Sequence, residues 1–156
     1  MPVLFTIGYE GADLASLLAV LSEHEVEEVV DVRLTPLSRK RGFSKKALAQ
    51  ALSAEGISYT HWPVLGCPKD IRVRYHETGD FVSYACAYRT HVVAQVQSAL
   101  RDLAWRARSR PTCLLCFERD DARCHRTIVA KEIVASMPRV TRLVPLRVPS
   151  SGRTCR

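Results

Sequence analysis

The residues best equipped for chemistry form three groups. The first is Cys124-His125-Arg126. It opens a helical pattern, where free backbone N–H groups and the helix dipole favour an anion. A cysteine placed there can ionise and act as a nucleophile. His125 can act as general acid or base, and the Arg126 guanidinium fits two phosphate oxygens at once. The plainer readings are that Cys124 packs in a loop and His125 caps a helix. Neighbouring side chains diverge at a helix start, so Cys124 and His125 are not expected to work as a pair. Arg126 is therefore expected to matter more than Cys124. A thiol phosphatase would carry an arginine where this chain has Ala130.

The second group is Asp31, Arg33 and Glu118. Asp31 and Glu118 end apolar runs, and an ionised carboxylate there needs a partner or a shifted pKa. Asp31 either pairs with a neighbour such as Arg33 or serves as a general base, and Glu118 has the same two readings. Together they could do acid/base work or hold a divalent cation. The third group is Gly8-Tyr9-Glu10 with His61 and Trp62. Glu10 is the weaker acid candidate because it sits in a turn.

The apolar periodicity supplies the elements that must position these residues. Val3–Ile7, Glu28–Arg33, Ile57–Trp62, Thr112–Glu118 and Val140–Leu146 read as strands. Leu14, Leu17, Leu18 and Leu21 make one face of a helix that Asp13 can cap. Ser44 can cap a second helix carrying Leu48 and Leu52. Residues 63–79 read as a long irregular connection, 80–108 as one long helix, and 126–136 as a last helix. Strands alternating with helices predict a single α/β domain over 1–148. Its sheet is mainly parallel, with about five strands and helices on both faces. A flexible basic tail over 149–156 follows. In such a sheet, ligands bind beyond the carboxyl ends of the strands, where all three groups fall.

Composition narrows the function classes. The chain has 156 residues, 47% hydrophobic and 25% charged, which excludes disorder as its main state. It has no apolar run of membrane-span length and no basic leader at its start, so a cytoplasmic protein without a membrane partner is expected. The net charge is +7, unevenly spread. Residues 1–31 hold seven acids and no Lys or Arg, whereas Arg33, Arg39, Lys40, Arg41, Lys45 and Lys46 follow with no acid among them up to residue 54. That patch suits a nucleic acid or a phosphorylated ligand, or is simply a solvated face. The cysteines are not read as disulfides in a cytoplasmic chain of this size. Cys113 and Cys116 lie three apart on a strand and point to opposite faces, so no metal site is assigned. Dinucleotide, P-loop and nucleophile-elbow fingerprints are absent.

Four segments together resemble one family. They are Thr-Ile-Gly-Tyr-Glu-Gly at 6–11, Asp-Val-Arg at 31–33 with Pro36 and Ser38, Gly-Ile-Ser-Tyr at 56–59 with His61 and Leu65-Gly66, and Leu-Leu-Cys-Phe-Glu at 114–118 with Cys-His-Arg at 124–126. The chain is similar, over about residues 4–137, to the bacterial and archaeal domain of unknown function 488. Members often carry a second glycine after Leu-Gly, where Cys67 stands here. The resemblance implies one compact α/β domain and no particular reaction. The expectation is an enzyme or binding protein for a phosphate-bearing ligand, a nucleotide or a nucleic acid. Arg33 and Arg126 would hold the anion, and Asp31, Glu118, His61 and His125 would do the chemistry. The alternatives are a non-catalytic nucleic-acid-binding module and a thiol-dependent enzyme or redox sensor using Cys124. No cofactor and no oligomeric state is read from the sequence.

Overall fold

The computed structural model describes residues 2–136 and 142–151. Five strands, β1 (Val3–Gly8), β2 (Glu28–Asp31), β3 (Ser58–His61), β4 (Thr112–Cys116) and β5 (Arg142–Leu146), form one sheet in the order β3-β2-β4-β1-β5. Every pairing is parallel. The parallel arrangement brings the carboxyl ends of β1, β2 and β4 to one edge: Gly8 lies opposite Cys116, and Asp31 opposite Leu115.

The helices are α1 (Leu14–Glu23), α2 (Lys45–Ala54), α3 (Lys69–Thr78), α4 (Phe81–His91), α5 (Gln97–Ser109) and α6 (His125–Ser136). The two-residue period of the strands divides the core into two layers. Phe5, Ile7, Val29, Cys113 and Leu115 face α1 and α2, packing with Leu17, Leu21, Leu48 and Leu52. Leu4, Val30, Leu114 and Cys116 face α3–α6, packing with Ile71, Tyr88, Leu100 and Ile128. Cys113 and Cys116 thus belong to opposite layers. The chain leaves β1 for α1 on one face and β4 for α6 on the other. Neighbouring strands whose connections part in this way open a crevice at their carboxyl ends.

Two sequence expectations need correction. Residues 63–79 are not irregular: a 3₁₀ turn at Pro63–Leu65 precedes α3. Of α3's residues only Ile71 is buried, so no apolar stripe announces it. Residues 80–108 are not one helix. A 3₁₀ turn at Val93–Gln95 separates α4 from α5, among the β-branched residues Val92, Val93 and Val96, which are poor helix formers. Beyond β5, the Ser151 N–H and hydroxyl both donate to the Gly11 carbonyl. Val140 and Thr141, expected in the last strand, and residues 152–156 of the expected tail lie outside the described residues. Among the described residues no helix is long and apolar enough to cross a membrane.

Candidate functional site

The crevice between the ends of β1 and β4 begins with a close backbone approach. Tyr9 N–H donates to the Cys116 carbonyl and Glu10 N–H to the Phe117 carbonyl. A Cβ on Gly8 would lie 1.8 Å from the Glu118 carbonyl oxygen, so only glycine fits there. Above this floor opens a cavity of about 470 Å³. Tyr9, Glu10, Arg33, Glu118 and His125 from the strand ends line it, with Arg39 of the basic patch and with Cys67, Arg72, His76, Tyr84 and Cys116. A larger groove of about 600 Å³ runs between α3 and α4, away from the strand ends. Its Asp80 is already used, capping α4 through the Ser83 N–H.

Four groups meet at the base of the site cavity. The thiols of Cys116 and Cys124 both donate to Glu118 Oε2, at 3.2 and 3.3 Å. His125 Nδ1 lies 3.9 Å from the Cys116 sulfur and 4.0 Å from the Cys124 sulfur. On the far side of the ring, Nε2 sits 2.9 Å from the Val32 carbonyl. A carbonyl only accepts, so Nε2 carries a proton, and Nδ1 is the ring nitrogen that faces the two sulfurs. Cys116, Cys124 and His125 are all buried.

This closeness shifts their acidities. Burial pushes the Cys124 thiol up, but hydrogen bonds from Cys116 and His125 and the charges of His125 and Arg126 bring it well below its ordinary value. Cys116 moves well up, because its hydrogen bond to Cys124 and its burial both keep its proton on. Burial and the Cys124 charge raise Glu118. Burial alone would lower His125, but its contact with Cys124 and the Val32 carbonyl raise it. The cluster therefore sets its two thiols apart, Cys124 the more readily ionised and Cys116 the more firmly protonated.

The expected divergence of Cys124 and His125 does not occur. Cys124 has extended backbone, φ −133° and ψ 142°, and the helix begins only at His125. The geometry of neighbours within a helix therefore does not apply to the pair.

Asp31 and Arg33 form the buried ion pair that was one of the two sequence readings. Asp31 Oδ1 accepts from the Arg33 N–H and Nε–H, and Oδ2 accepts from Arg33 Nη2 at 2.6 Å and from the Tyr59 hydroxyl. Four donors occupy this fully buried carboxylate, which leaves little capacity for a general base. Burial and the bond to Asp31 push the Tyr59 phenol up, so it remains a donor. Arg33 Nη1 donates to the Tyr9 hydroxyl and the Phe43 carbonyl, pinning the basic loop. Of its five N–H bonds, one on Nη2 is left over at the cavity.

Arg126 is 1% exposed and lies behind the cavity wall. Its Nη1 donates to the Glu118 carbonyl and its Nη2 reaches the Arg119 carbonyl at 3.5 Å. Arg126 clips the loop after β4 rather than lining the cavity. His61 Nε2 meets the Arg33 carbonyl at 2.7 Å, also away from the cavity. Glu10 Oε2 accepts from the Arg119 N–H. In the basic patch, Arg39, Arg41, Lys45 and Lys46 are exposed, while Lys40 lies over the Phe43 ring. Ser44 precedes α2 without a side-chain cap bond. Trp62 is covered by the Arg106 guanidinium, 5.3 Å from its ring centre.

Sequence reasoning missed Cys67, Arg72, His76, Tyr84 and Cys116. Four of these lie on or beside α3 and α4, whose polar sequence hid the first helix. Cys116 was set aside by comparison with Cys113, whereas its neighbours come from the loop and helix that follow.

The pattern described as Domain of unknown function DUF488 matches residues 13–133. The chain belongs to that family. The match covers the Asp-Val-Arg, Leu-Gly and Cys-His-Arg segments and stops short of the Gly8–Gly11 turn. No curated protein and no solved structure matches the chain. The DUF488 match fixes no reaction, so the chemistry rests on the geometry of this site.

Proposed function

We propose that this DUF488 protein is an enzyme acting on an anionic, phosphate-bearing ligand. The ligand would lie in the cavity above β1 and β4, with the Cys116, Glu118, Cys124 and His125 cluster as its reactive base. The observation that carries this reading is one convergence. Arg33, Arg39 and Arg72 reach a single cavity whose base presents Cys116, Glu118 and His125. Guanidinium groups recognise phosphate in paired fashion and stay charged at any physiological pH. The anion-holding role moves from Arg126 to Arg39 and Arg72, because Arg126 is buried and does not line the cavity.

Calorimetric titration of inorganic phosphate, mononucleotides and short oligonucleotides tests the reading. The expected result is saturable binding of at least one of them. Arg72→Ala should weaken it by roughly ten-fold or more, the loss of about one charge-assisted hydrogen bond. Combined Lys45→Ala and Lys46→Ala should leave mononucleotide binding unchanged. If only oligonucleotides bind, and the lysine changes abolish that binding, the non-catalytic nucleic-acid module replaces this reading. If none of the panel binds, the phosphate reading fails.

A further inference from the structure

The structure assigns a second property to the base of the cavity: we infer that Cys116, Cys124 and His125 bind one divalent, thiolate-seeking metal ion, zinc in the first instance, with the fourth coordination place open. This stands independently of the phosphate reading.

The distances carry it. Three ligand atoms, two sulfurs and one ring nitrogen, lie within 4.8 Å of one another. A tetrahedral zinc ion, with bonds of about 2.3 Å to sulfur and about 2.0–2.1 Å to nitrogen and oxygen, sets sulfur roughly 3.6 Å from each of those atoms. Here His125 Nδ1 is 3.9 and 4.0 Å from the two sulfurs. Glu118 Oε2 is 3.2 and 3.3 Å from them. The two nitrogen–sulfur edges need only a few tenths of an ångström of adjustment, and Glu118 stands beside the sulfurs outside this three-donor set.

The surroundings fit a ligand set. The Val32 carbonyl accepts a hydrogen bond from the Nε2–H, which fixes the ring and leaves Nδ1 as the nitrogen that can ligate. That is the outer-shell arrangement of metal-bound histidines. Two thiolates and an imidazole select zinc, ferrous iron or copper over magnesium and calcium. The donors are also held by rigid parts: Cys116 ends β4, and His125 begins α6.

A bare thiol nucleophile fits less well. Cys124 is 1% exposed and does not line the cavity, so a substrate cannot reach its sulfur directly. Cys116, Glu118 and His125 do line it. An ion held among them would face the cavity on the Glu118 side. A ligand oxygen could take the fourth coordination place there, as in sites that keep one exchangeable position.

The test uses the full chain, reduced and freed of metal, titrated with cobalt(II) and then with zinc. The expected result is a thiolate-to-cobalt charge-transfer band, with the intense visible bands of a tetrahedral site, saturating at one ion per chain and displaced by zinc. X-ray absorption of the zinc form should show two sulfur neighbours. His125→Gln should lower zinc affinity by more than the roughly 10–100-fold that loss of an outer-shell partner costs. Cys86→Ser, at an exposed position, should leave it unchanged. Wild-type protein that gives no such bands after full reduction overturns the inference, and so does Cys124→Ala binding zinc as tightly as wild type. Phosphate binding plays no part in this readout, so either proposal can fail alone.

Discussion

His125 Nδ1 lies 4.0 Å from the sulfur of Cys124, its own neighbour in the chain, and 3.9 Å from that of Cys116, nine residues earlier. The first contact exists because Cys124 has extended backbone and the helix begins only at His125. The second exists because β4 delivers Cys116 to the same end of the sheet. A local backbone choice and a long-range strand pairing thus meet at one imidazole. The Val32 carbonyl, at the end of β2, orients that imidazole from a third element.

Arg126 and Arg72 should separate structure from binding. Arg126 is buried and donates to the carbonyls of Glu118 and Arg119, whereas Arg72 is exposed at the cavity. Arg126→Ala should cost about 1.5–3 kcal/mol of stability, as expected when a charged hydrogen-bond donor is removed. Arg72→Ala should change stability by less than about 0.5 kcal/mol while weakening ligand binding. Urea unfolding of both variants beside phosphate titration checks this. A neutral Arg126→Ala would contradict the clip.

Asp31→Asn should be among the most damaging single changes. It leaves the buried Arg33 guanidinium without its counter-charge, and breaking a buried pair costs about 3–5 kcal/mol. Tyr59→Phe removes one hydrogen bond to the same carboxylate and should cost about 1 kcal/mol. The loss in Asp31→Asn should shrink when Arg33 is also changed to Met, because the orphaned charge is then gone. A double-mutant cycle by chemical denaturation measures that coupling, and additive losses would rule it out.

The sheet was legible in the sequence because most of its strands are short β-branched or apolar runs, the first three closed by Gly8, Asp31 and Pro63. The site edge was legible for the same reason: once the strands are parallel, residues 8–10, 31–33 and 118 share one end. Two kinds of information were not legible. Helix α3 carries Arg72 and His76 on a segment with a single buried residue, so periodicity had nothing to register. The partners of each charged group are three-dimensional facts. Arg33 and Arg126 look like two anion ligands in the sequence, yet one is filled by Asp31, Tyr9 and Phe43, and the other by the loop after β4.

Gly8→Ala should damage the site and the fold together. The added Cβ would sit 1.8 Å from the Glu118 carbonyl oxygen and 2.6 Å from its carbon, and both are backbone atoms that cannot swing aside. Relief requires the ends of β1 and β4 to part, at an expected cost of about 1–3 kcal/mol or more. Gly56→Ala is the control. Its φ of 73° is strained for alanine, but nothing lies within 4 Å of the new atom, so about 1 kcal/mol is expected. Equal losses in thermal unfolding would show that backbone conformation, and not the strand contact, sets the cost at Gly8.

Thiol reactivity should follow access and not acidity. Cys86 is exposed, whereas Cys67, Cys113, Cys116 and Cys124 are at most 4% exposed. Cys124 is the thiol whose surroundings most favour ionisation, yet its sulfur has no path to the cavity. A thiolate reacts only when the reagent can reach it. In a Cys155→Ser background, which removes the cysteine outside the described residues, a bulky disulfide reagent should modify one thiol rapidly, and Cys86→Ser should abolish that phase. Cys67 and Cys116 should follow slowly through the cavity, and Cys113 and Cys124 only on unfolding. Stopped-flow absorbance with mass mapping of the labelled cysteines reads the order. Rapid labelling of Cys124 in the folded protein would show that its sulfur is open to substrate, and the nucleophile reading would then regain ground over the metal.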